Sequence, residues 1–452
     1  MTNRVVIIGA GVIGLCTAYY CARRGFAVTV IERKPAKHDG CSFGNAGMIV
    51  PSHFVPLAAP GMVALGLKWM WNPASPLYIK PRLDADLFDW GHKFWRAATA
   101  DHVRRAVPLL RDLSLASRVC FEEFAAWPWP DFGFVKKGLL MLCKSEHALR
   151  EEARMAQQAR ALGIPAEVLD AKQTAALDPG ARLDVAGAVH FPLDCHLVPD
   201  RFMAALQSEV ERLGVRFVWN SDVVNWKFAD AHSTVSGARL HEPQQGDLRT
   251  DAAAGHRPAL QSNRSRLQAI TTSTGGEIEA EEFVLCGGSW SAEIARKLDI
   301  HTPLQAGKGY SLTLAKPRQL PQICSICTEA RVAVTPMDGA LRVGGTMEIA
   351  GLNEDINPVR VRGIIDSFCR YFPDFTPADF EGIQPWRGLR PCSPDGLPYI
   401  GRTAKFTNLS LATGHGMMGL SLGPVTGRLI AEILSGEKPA WDIAMLSPDR
   451  YS

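Results

Sequence analysis

The sequence of 452 residues lacks three features that would each have decided its class: a long unbroken apolar run, a lysine- or arginine-rich segment, and a large net charge. Its 49 basic and 46 acidic side chains leave a formal charge of +3 at pH 7, which argues against dedicated nucleic-acid binding. The apolar stretch at 54–67 is broken by Pro56, Pro60 and Gly61, so it is too interrupted for a membrane-spanning helix. The N-terminal apolar residues lead directly into a glycine turn, which predicts a strand there rather than a secretory signal.

The eleven cysteines are an odd number scattered over the chain, a distribution typical of a reducing cytoplasm. Cys324 and Cys327 have the spacing of half a metal site or of a redox pair. No second pair of this kind and no neighbouring histidine pair completes such a site, so two ordinary strand cysteines are favoured and no metal is predicted. The hydrophobic share of 46% and the charged share of 21% are those of a soluble globular protein, long enough here for two domains.

The first thirty-odd residues have the pattern of a dinucleotide-binding unit. A buried strand is predicted from Arg4, then a Gly-Ala-Gly-Val-Ile-Gly turn at 9–14, a helix to Arg24, and a second strand that closes at Glu32. An α/β crossover without a ligand is the alternative for such a turn. The complete order of strand, turn, helix, strand and acid favours a bound dinucleotide.

Each position of this unit has a physical role in that prediction. Gly9 permits the sharp turn, Gly11 lets the backbone approach a pyrophosphate, and Gly14 lets the helix lie close to the strand. The helix N-terminus offers N–H groups and a partial positive charge to phosphate. Glu32 is placed to accept hydrogen bonds from a ribose, and its charge would repel the 2′-phosphate of NADP.

Three later glycine-rich segments also suit close approach of a ligand to the backbone. The loop 41–47 could bring Ser42 and Asn45 to a flat cofactor, although a plain surface loop explains it equally well. The turns at 286–290 and 414–419 each follow a predicted strand and precede a helix. His415, in the last of these turns, is interpreted as a satisfied loop residue rather than as a base.

Arg390 lies among apolar, proline and glycine residues, so its guanidinium needs a partner. A substrate carboxylate would match it with two parallel hydrogen bonds. A structural salt bridge to Asp395 or another acid is the equally weighted alternative.

Two segments differ in composition from the rest. Residues 54–95 interleave tryptophans with lysines and arginines, which suits either contact with a membrane surface or a lid over a substrate site. Residues 229–261 show neither helical nor strand periodicity and are predicted to be a surface insertion within a hairpin. Strands predicted at 307–315, 331–335 and 340–349 should pair antiparallel in a second domain.

The motifs together resemble the FAD-dependent D-amino-acid oxidase superfamily, and within it the bacterial D-amino-acid dehydrogenases. The resemblance covers nearly the whole chain in order and departs from it at 229–261. It is carried by the opening fingerprint with Glu32, the segment 42–47, Gly307-Lys-Gly-Tyr310-Ser-Leu-Thr, Arg342-Val-Gly-Gly-Thr-Met-Glu-Ile, Gly388-Leu-Arg-Pro391 with Asp395-Gly, and Thr413-Gly-His-Gly.

The fold that this resemblance implies is α/β, with a discontinuous Rossmann-like FAD-binding domain and an α+β substrate domain built on an antiparallel sheet. The FAD-binding domain would comprise 1–52, 188–300 and 386–452, with 229–261 as its surface insertion. The substrate domain would comprise 53–187 and 301–385.

The resemblance also implies roles for individual residues. Arg390 would clamp the substrate carboxylate, and Tyr310 would lie near the substrate. His53 stands where close relatives often have tyrosine, a departure that bears on substrate preference. FAD would be contacted by Gly9, Gly11, Val12, Ile13, Gly14, Glu32, Arg33, Ser42, Asn45, Ala46, Gly47, Met48, Val223, Val224, Cys286, Gly287, Gly288, Trp290, Gly388, Gly414, His415, Gly416, Met418, Gly419 and Leu420.

The implied reaction is oxidative deamination of D-amino acids, including D-proline or hydroxy-D-proline, by hydride transfer to flavin N5. The products are oxo or imino acids, as in amino-acid catabolism, and the electrons pass to a quinone or a carrier protein rather than to oxygen. Two alternatives keep the fold: a glycine, sarcosine or hydroxyproline oxidase, and the flavoprotein subunit of a larger electron-transfer complex. A cytoplasmic protein is expected, with peripheral attachment to the inner membrane left open.

Overall fold

The computed structural model describes residues 3–70, 75–229 and 265–452, so the predicted insertion lies outside the described residues except for Ala229. Within these ranges the α-helices are α1 (Val12–Arg23), α2 (Met62–Met70), α3 (Ala85–Ala97), α4 (Ala100–Ala126), α5 (Glu146–Ala161), α6 (Ala171–Leu177), α7 (Pro199–Arg212), α8 (Ser291–Arg296), α9 (Pro358–Tyr371) and α10 (Gly419–Leu434). The strands are β1 (Arg4–Ile8), β2 (Ala27–Ile31), β3 (Met48–Ile49), β4 (Leu77–Ile79), β5 (Leu139–Cys143), β6 (Glu167–Asp170), β7 (Gly187–Phe191), β8 (Cys195–His196), β9 (Arg216–Val218), β10 (Val223–Phe228), β11 (Leu267–Thr272), β12 (Glu277–Glu279), β13 (Glu282–Leu285), β14 (Gln305–Leu314), β15 (Cys324–Cys327), β16 (Val332–Met337), β17 (Ala340–Ile349), β18 (Trp386–Cys392), β19 (Tyr399–Arg402) and β20 (Leu409–Thr413).

The first layer is a mostly parallel sheet with the strand order β19-β20-β13-β1-β2-β9 in the described chain. Its central strand β1 is apolar on both faces, as a parallel strand covered on both sides requires. One face packs against α1, α4, α7 and α10, and the other packs against the small antiparallel sheet β10-β11-β12. The strands β10 and β11 pair antiparallel, so the predicted insertion is flanked by the hairpin that its position indicated.

The second layer is a large mixed sheet with the order β18-β14-β17-β16-β15-β5-β7-β6, and β4 pairs with β17 at its side. The predicted antiparallel neighbours are present as β14, β17 and β16. The helix α9 covers this sheet through Val361, Ile364 and Phe368, which recur at helical spacing in its core cluster. Cys324 and Cys327 are both buried in the strand β15, as predicted for ordinary strand cysteines.

Two predicted boundaries differ from the observed sheets. The ranges 188–300 and 386–452, predicted for the FAD-binding domain, contain most of β7 and all of β18, and both strands pair within the large mixed sheet. The range 53–187, predicted for the substrate domain, contains α4, whose Leu113 and Phe121 lie in the core of the parallel sheet. The physical reason is that local apolar pattern predicts an element, whereas its partner is set by contacts distant in sequence.

One stretch of the described chain, Gly416–Leu434, is long and apolar enough to cross a membrane by length and composition. It coincides with α10, and 72% of the window is buried inside the protein. Its apolarity therefore has a structural explanation, because a helix packed on several sides is apolar all round.

Candidate active site

A cavity of about 1060 Å³ lies where the carboxyl ends of β1, β2 and β13 approach the large mixed sheet. This edge is where α/β sheets of this kind bind ligands. Every residue predicted to contact cofactor or substrate lines the cavity, with the exceptions of Gly14 and Gly414. The structure therefore brings together residues as distant in the sequence as Gly9 and Leu420.

The three glycines of the opening turn have different local surroundings. Gly9 has φ +109°, and a Cβ built on it would lie 2.5 Å from the carbonyl oxygen of Cys286. A Cβ on Gly14 would lie 1.8 Å from the carbonyl oxygen of Gly9, so this residue serves helix–strand contact rather than the cavity. A Cβ on Gly11 would meet only the Ser42 hydroxyl oxygen, at an ordinary 3.5 Å. The fold itself therefore does not require a glycine at position 11, and the missing side chain leaves free space in the cavity.

Two helices begin at the cavity. The N-cap residues of α1 and α10 make no side-chain hydrogen bond to their helices. At α1, the Ser42 hydroxyl from the loop 41–47 accepts a hydrogen bond from the Val12 N–H at 3.0 Å. The turn before α10 contains Gly416, beside which a Cβ would find open space. Unpaired N–H groups and the helix dipole make both ends suitable for anionic groups.

Glu32 holds the opening turn in place as well as facing the cavity. Its carboxylate accepts hydrogen bonds from the backbone N–H of Ala10 at 2.8 Å and of Lys34 at 3.0 Å. A carboxylate has lone pairs beyond these two, so acceptance from a ribose stays compatible with the geometry. Next to it the Arg33 guanidinium stacks on the Trp290 ring, 3.9 Å from the centroid.

The loop 41–47 is not a plain surface loop, because strands of the large sheet hold its backbone. Carbonyl oxygens of the loop accept hydrogen bonds from the Ser311 hydroxyl at 2.8 Å and from the Thr335 hydroxyl at 2.7 Å. The Arg342 guanidinium also donates to the Asn45 carbonyl at 3.0 Å. The Asn45 side chain bonds within the loop, to the Ser42 carbonyl and the Gly47 N–H. Its contribution here is to fix the loop shape, and direct contact with a cofactor stays a prediction.

The alternative partner predicted for Arg390 is wrong. Asp395 accepts hydrogen bonds from Arg450 at 2.7 and 3.0 Å, and this pair is buried. The Arg390 guanidinium donates to the Thr346 carbonyl at 2.9 Å, and within the described part of the chain no carboxylate lies within 4 Å of it. Its guanidinium covers Gly309, where an added Cβ would lie 2.1 Å from Nη1. Arg390 is thus a half-buried cation that lines the cavity and has no acid partner in the described ranges.

Tyr310 also lines the cavity, but its hydroxyl is engaged elsewhere. It donates to Glu348 at 2.6 Å and accepts from the Asn357 N–H at 3.3 Å. Burial, and then the hydrogen bond to Glu348, raise the pKa of the Tyr310 hydroxyl. Lys308 and Arg360 each lie 3.9 Å from the same carboxylate. Tyr310 is thus part of a buried charged cluster behind the cavity wall, and a direct contact with substrate stays a prediction.

Several residues of the site were not predicted from the sequence. Thr346 has φ +61°, unusual for a β-branched residue, and its buried hydroxyl has no hydrogen-bond partner among the described residues. Beside His53, the Ser52 hydroxyl donates to the wholly buried Asp194. One signal could have found Asp194: it is the only acid in the stretch 187–198. The side chains of Met141, Met155, Phe191 and Ile326 add an apolar wall to the same cavity.

Two histidines that line the cavity, the buried His415 and the half-buried His53, are held neutral. Burial lowers the pKa of His415 to about 3, and its Nε2 lies 2.9 Å from the Thr426 hydroxyl. Burial, followed by the charge of Arg331, lowers the pKa of His53 to about 4. Neither group carries a charge at neutral pH, so the cations that face the cavity are guanidinium and ammonium groups.

The strand–turn–helix unit with its acid, the two helix starts and the unpaired guanidinium define a dinucleotide-binding oxidoreductase with a second, substrate-holding layer. A family model described as FAD dependent oxidoreductase matches residues 4–433, and the chain belongs to this family. The predicted FAD cofactor and the predicted fold class are thereby confirmed.

Relatives of full length support the same assignment. The chain is 32% identical to a D-amino acid dehydrogenase of Bradyrhizobium diazoefficiens and 31% identical to one of Agrobacterium fabrum, with 99% of each chain covered. Among solved structures, glycine oxidase from Geobacillus kaustophilus superposes with a TM-score of 0.72 at 22% identity, with both chains fully covered. That likeness concerns the fold.

The residues present fit FAD. The space beside Gly11, the two helix starts and the Glu32 carboxylate suit a diphosphate and a ribose, and the cavity is large enough for more than one substrate-sized molecule. Gly11, Val12, Ser42 and the turn at 416–419 would hold the cofactor.

Proposed function

We propose that this protein is a D-amino-acid dehydrogenase that converts D-amino acids to imino and then oxo acids. The observation that carries the proposal is the Arg390 guanidinium, which faces the cavity without an acid partner among the described residues. Relatives named D-amino acid dehydrogenase, aligned over 99% of the chain, support the substrate class.

Arg390 would bind the substrate carboxylate through parallel N–H donors. The hydrogen bond to the Thr346 carbonyl uses one donor and fixes the guanidinium, so four further N–H groups are left for a ligand. A carboxylate held by two of them presents Cα in one orientation, which is how positioning lowers a barrier. FAD, when bound, accepts the two electrons that leave Cα as a hydride.

The substrate side chain would lie against the apolar wall of Met141, Met155, Phe191 and Ile326. Glycine and sarcosine would leave this wall uncovered, which favours larger D-amino acids over these alternatives. The glycine oxidase structure shares the fold at 22% identity and gives no stronger support for glycine.

We infer that the electron acceptor is a quinone or a carrier protein met at a membrane surface. The helix α3 and the residue before its cap expose Leu83, Phe88 and Trp95 at 98%, 63% and 62% of their surfaces. Apolar side chains beside Arg96 and Lys80 suit an anionic bilayer. This inference supports a peripheral membrane protein.

The test of the proposed function is anaerobic bleaching of the flavin in the purified protein. A panel of D-amino acids, L-amino acids, glycine, sarcosine and hydroxyprolines is mixed with the protein, and absorbance of the oxidised flavin is followed. Bleaching by larger D-amino acids before their L-forms and before glycine is expected. Bleaching by glycine or sarcosine alone would replace the proposal with the oxidase alternative.

A further inference from the structure

A chain of three side chains leads from the cavity into the protein. His53 lines the cavity, its Nδ1 lies 3.0 Å from the Ser52 hydroxyl oxygen, and that hydroxyl donates to Oδ2 of Asp194. The Ser52 backbone N–H donates to the other carboxylate oxygen of Asp194 at 3.1 Å. Asp194 itself is wholly buried, in the turn between β7 and β8. The mechanism proposed above uses none of these three groups.

The directions of these hydrogen bonds determine which nitrogen of His53 is free. Because the Ser52 hydroxyl donates its hydrogen to an ionised Asp194, its oxygen must accept from His53, so Nδ1 carries the proton. The opposite nitrogen, Nε2, has no hydrogen-bond partner among the described residues and keeps its lone pair. If Asp194 were protonated, the two side-chain hydrogen bonds that join Asp194, Ser52 and His53 would reverse. His53 would then carry its proton on Nε2 instead.

The surroundings favour a proton on Asp194 over a charge on His53. Burial raises the pKa of Asp194 to about 7, against hydrogen bonds from Ser52 and the charge of Arg118, which lower it. The thiols of Cys195 and Cys324 are the other titratable groups beside it. The charge of Arg331, which also lines the cavity, disfavours an imidazolium at His53. Glu152 is the acid that lines the cavity near Arg331.

We propose that His53, Ser52 and Asp194 form a proton route that deprotonates the substrate ammonium. The ammonium N–H bond breaks and the proton joins His53 Nε2; the Nδ1 proton passes to Ser52, and the Ser52 hydroxyl proton passes to Asp194. The imidazole and the hydroxyl end neutral, so the net change is from an ammonium and a carboxylate to an amine and a carboxylic acid. This inference rests on the proposed amino-acid substrate.

The reaction needs this step because a hydride leaves Cα only when the nitrogen lone pair is free to form the C=N bond. An α-ammonium group is protonated at neutral pH, and no lone pair is then available. The relay moves the proton before the hydride step, and the imidazole stays neutral throughout. The cavity wall therefore never holds an additional buried cation. In this account His53 touches the substrate, while Ser52 and Asp194 act through it.

The test compares Ser52→Ala and Asp194→Asn with wild type in stopped-flow reduction of the bound flavin by a D-amino acid, from pH 7 to about pH 10. At pH 7 each variant should reduce its flavin about 100-fold more slowly, a loss in the range of general acid–base catalysis. At about pH 10 the substrate arrives with a neutral amino group, and the rates should approach that of wild type. A loss of equal size at both pH values, or no loss at either, would overturn the proton route.

The matched control is Asp178→Asn. Asp178 is another buried aspartate that accepts backbone hydrogen bonds, from Gln322 and Ile323, but it does not line the cavity. This variant should keep the wild-type pH profile. A substrate panel that bleaches no flavin at all would instead contradict the proposed function, so the two failures are distinguishable.

A second test needs no substrate and follows the ¹⁵N NMR signals of His53 in the flavin-loaded protein. These signals are identified by their loss in the variant His53→Gln. In wild type the proton should move from Nε2 to Nδ1 as pH rises through the titration of Asp194, while the ring stays neutral. Ser52→Ala should abolish this tautomer change. Persistence of the change in Ser52→Ala would contradict the relay.

Discussion

Gly9 and Gly11 stand two residues apart and differ in what a side chain would meet. At Gly9 both the positive φ and the Cys286 carbonyl at 2.5 Å oppose any Cβ. At Gly11 the backbone is extended, with φ −70° and ψ 177°, and the space beside it is part of the cavity. The first glycine is needed for the fold, whereas the second is predicted to leave space for the cofactor.

Gly11→Val is therefore expected to fold and to purify without FAD. The side chain would occupy the space that a pyrophosphate needs, while the protein's own contacts are unchanged. Flavin absorbance per polypeptide and the circular dichroism spectrum measure the two properties separately. Gly91→Ala, in the middle of α3 with no atom within 4 Å of the added Cβ, serves as the control and should stay yellow. A yellow Gly11→Val protein would place the phosphates elsewhere.

Arg390→Ala should weaken substrate binding while FAD stays bound. A charged bidentate hydrogen bond contributes about 1.5–3 kcal/mol or more, so KM should rise by at least tenfold. Flavin reduction over a range of substrate concentrations measures the effect. Arg318→Ala, which removes an exposed guanidinium paired with Asp379 outside the cavity, is the control. An unchanged KM in Arg390→Ala would remove the clamp assignment.

At the scale of elements, one side of the helix α3 packs against the protein and the other side is exposed to solvent. Trp90 is buried, and its indole N–H donates to the Cys392 carbonyl at 2.9 Å in β18, two residues from Arg390. Phe88 and Trp95 are both exposed, and their spacing of seven residues places them on the same face of the helix. A membrane bound at this face would therefore lie close to the strand that carries Arg390, the proposed carboxylate-binding residue.

The double variant Phe88→Ser and Trp95→Ser should lose affinity for vesicles. Sedimentation with vesicles of mixed neutral and anionic phospholipids measures binding, and flavin reduction by substrate should stay as in wild type. A matched control is Val168→Ser, which removes an exposed apolar side chain from the edge strand β6. Equal vesicle binding by wild type and the double variant would contradict membrane contact through α3.

The sequence predicted elements better than it predicted their partners. The helix after the glycine turn at 9–14 and the strand character of 340–349 follow from local patterns, and both are present. The strand β18 carries the motif Gly388-Leu-Arg-Pro391, but its place in the large sheet depends on pairing with β14, far away along the chain. Which strands become neighbours depends on contacts between residues far apart in the chain, and a local pattern does not show them.

At the scale of the molecule, the cavity was predictable because its glycine turns carry local signals. The Arg390 partner was not, since the choice between Asp395 and a ligand depended on Arg450, which lies at the C-terminus and occupies that acid. Asp194 was missed for the same reason, because its importance arises from Ser52, 142 positions earlier. Local chemistry is visible in a sequence, whereas the pairing of buried charges requires the fold.

Buried neutral histidines should make the whole protein sensitive to acid. His196 is 2% exposed, and burial followed by the charge of Lys137 lowers its pKa to about 4 from the ordinary 6.5. Between these two values the unfolded chain takes up a proton that the folded chain refuses, so stability falls as pH falls through this window. The effect of His196 alone should reach roughly 3 kcal/mol near pH 4. Asp194 has a raised pKa, so its titration stabilises the fold as pH falls, opposite to the effect of His196. The contribution of His196 is therefore measured as the difference between wild type and a His196 variant.

His196→Gln should therefore flatten the pH dependence of unfolding. Urea denaturation of the flavin-loaded protein at pH 7, 6 and 5 gives the free energy of unfolding for wild type and variant. Wild type should lose more stability than the variant at each acid step, because glutamine takes up no proton in either state. His92→Gln, at an exposed position in α3, should run parallel to wild type. If the His196→Gln curve were parallel as well, the buried imidazole would not be the group that couples folding to acid.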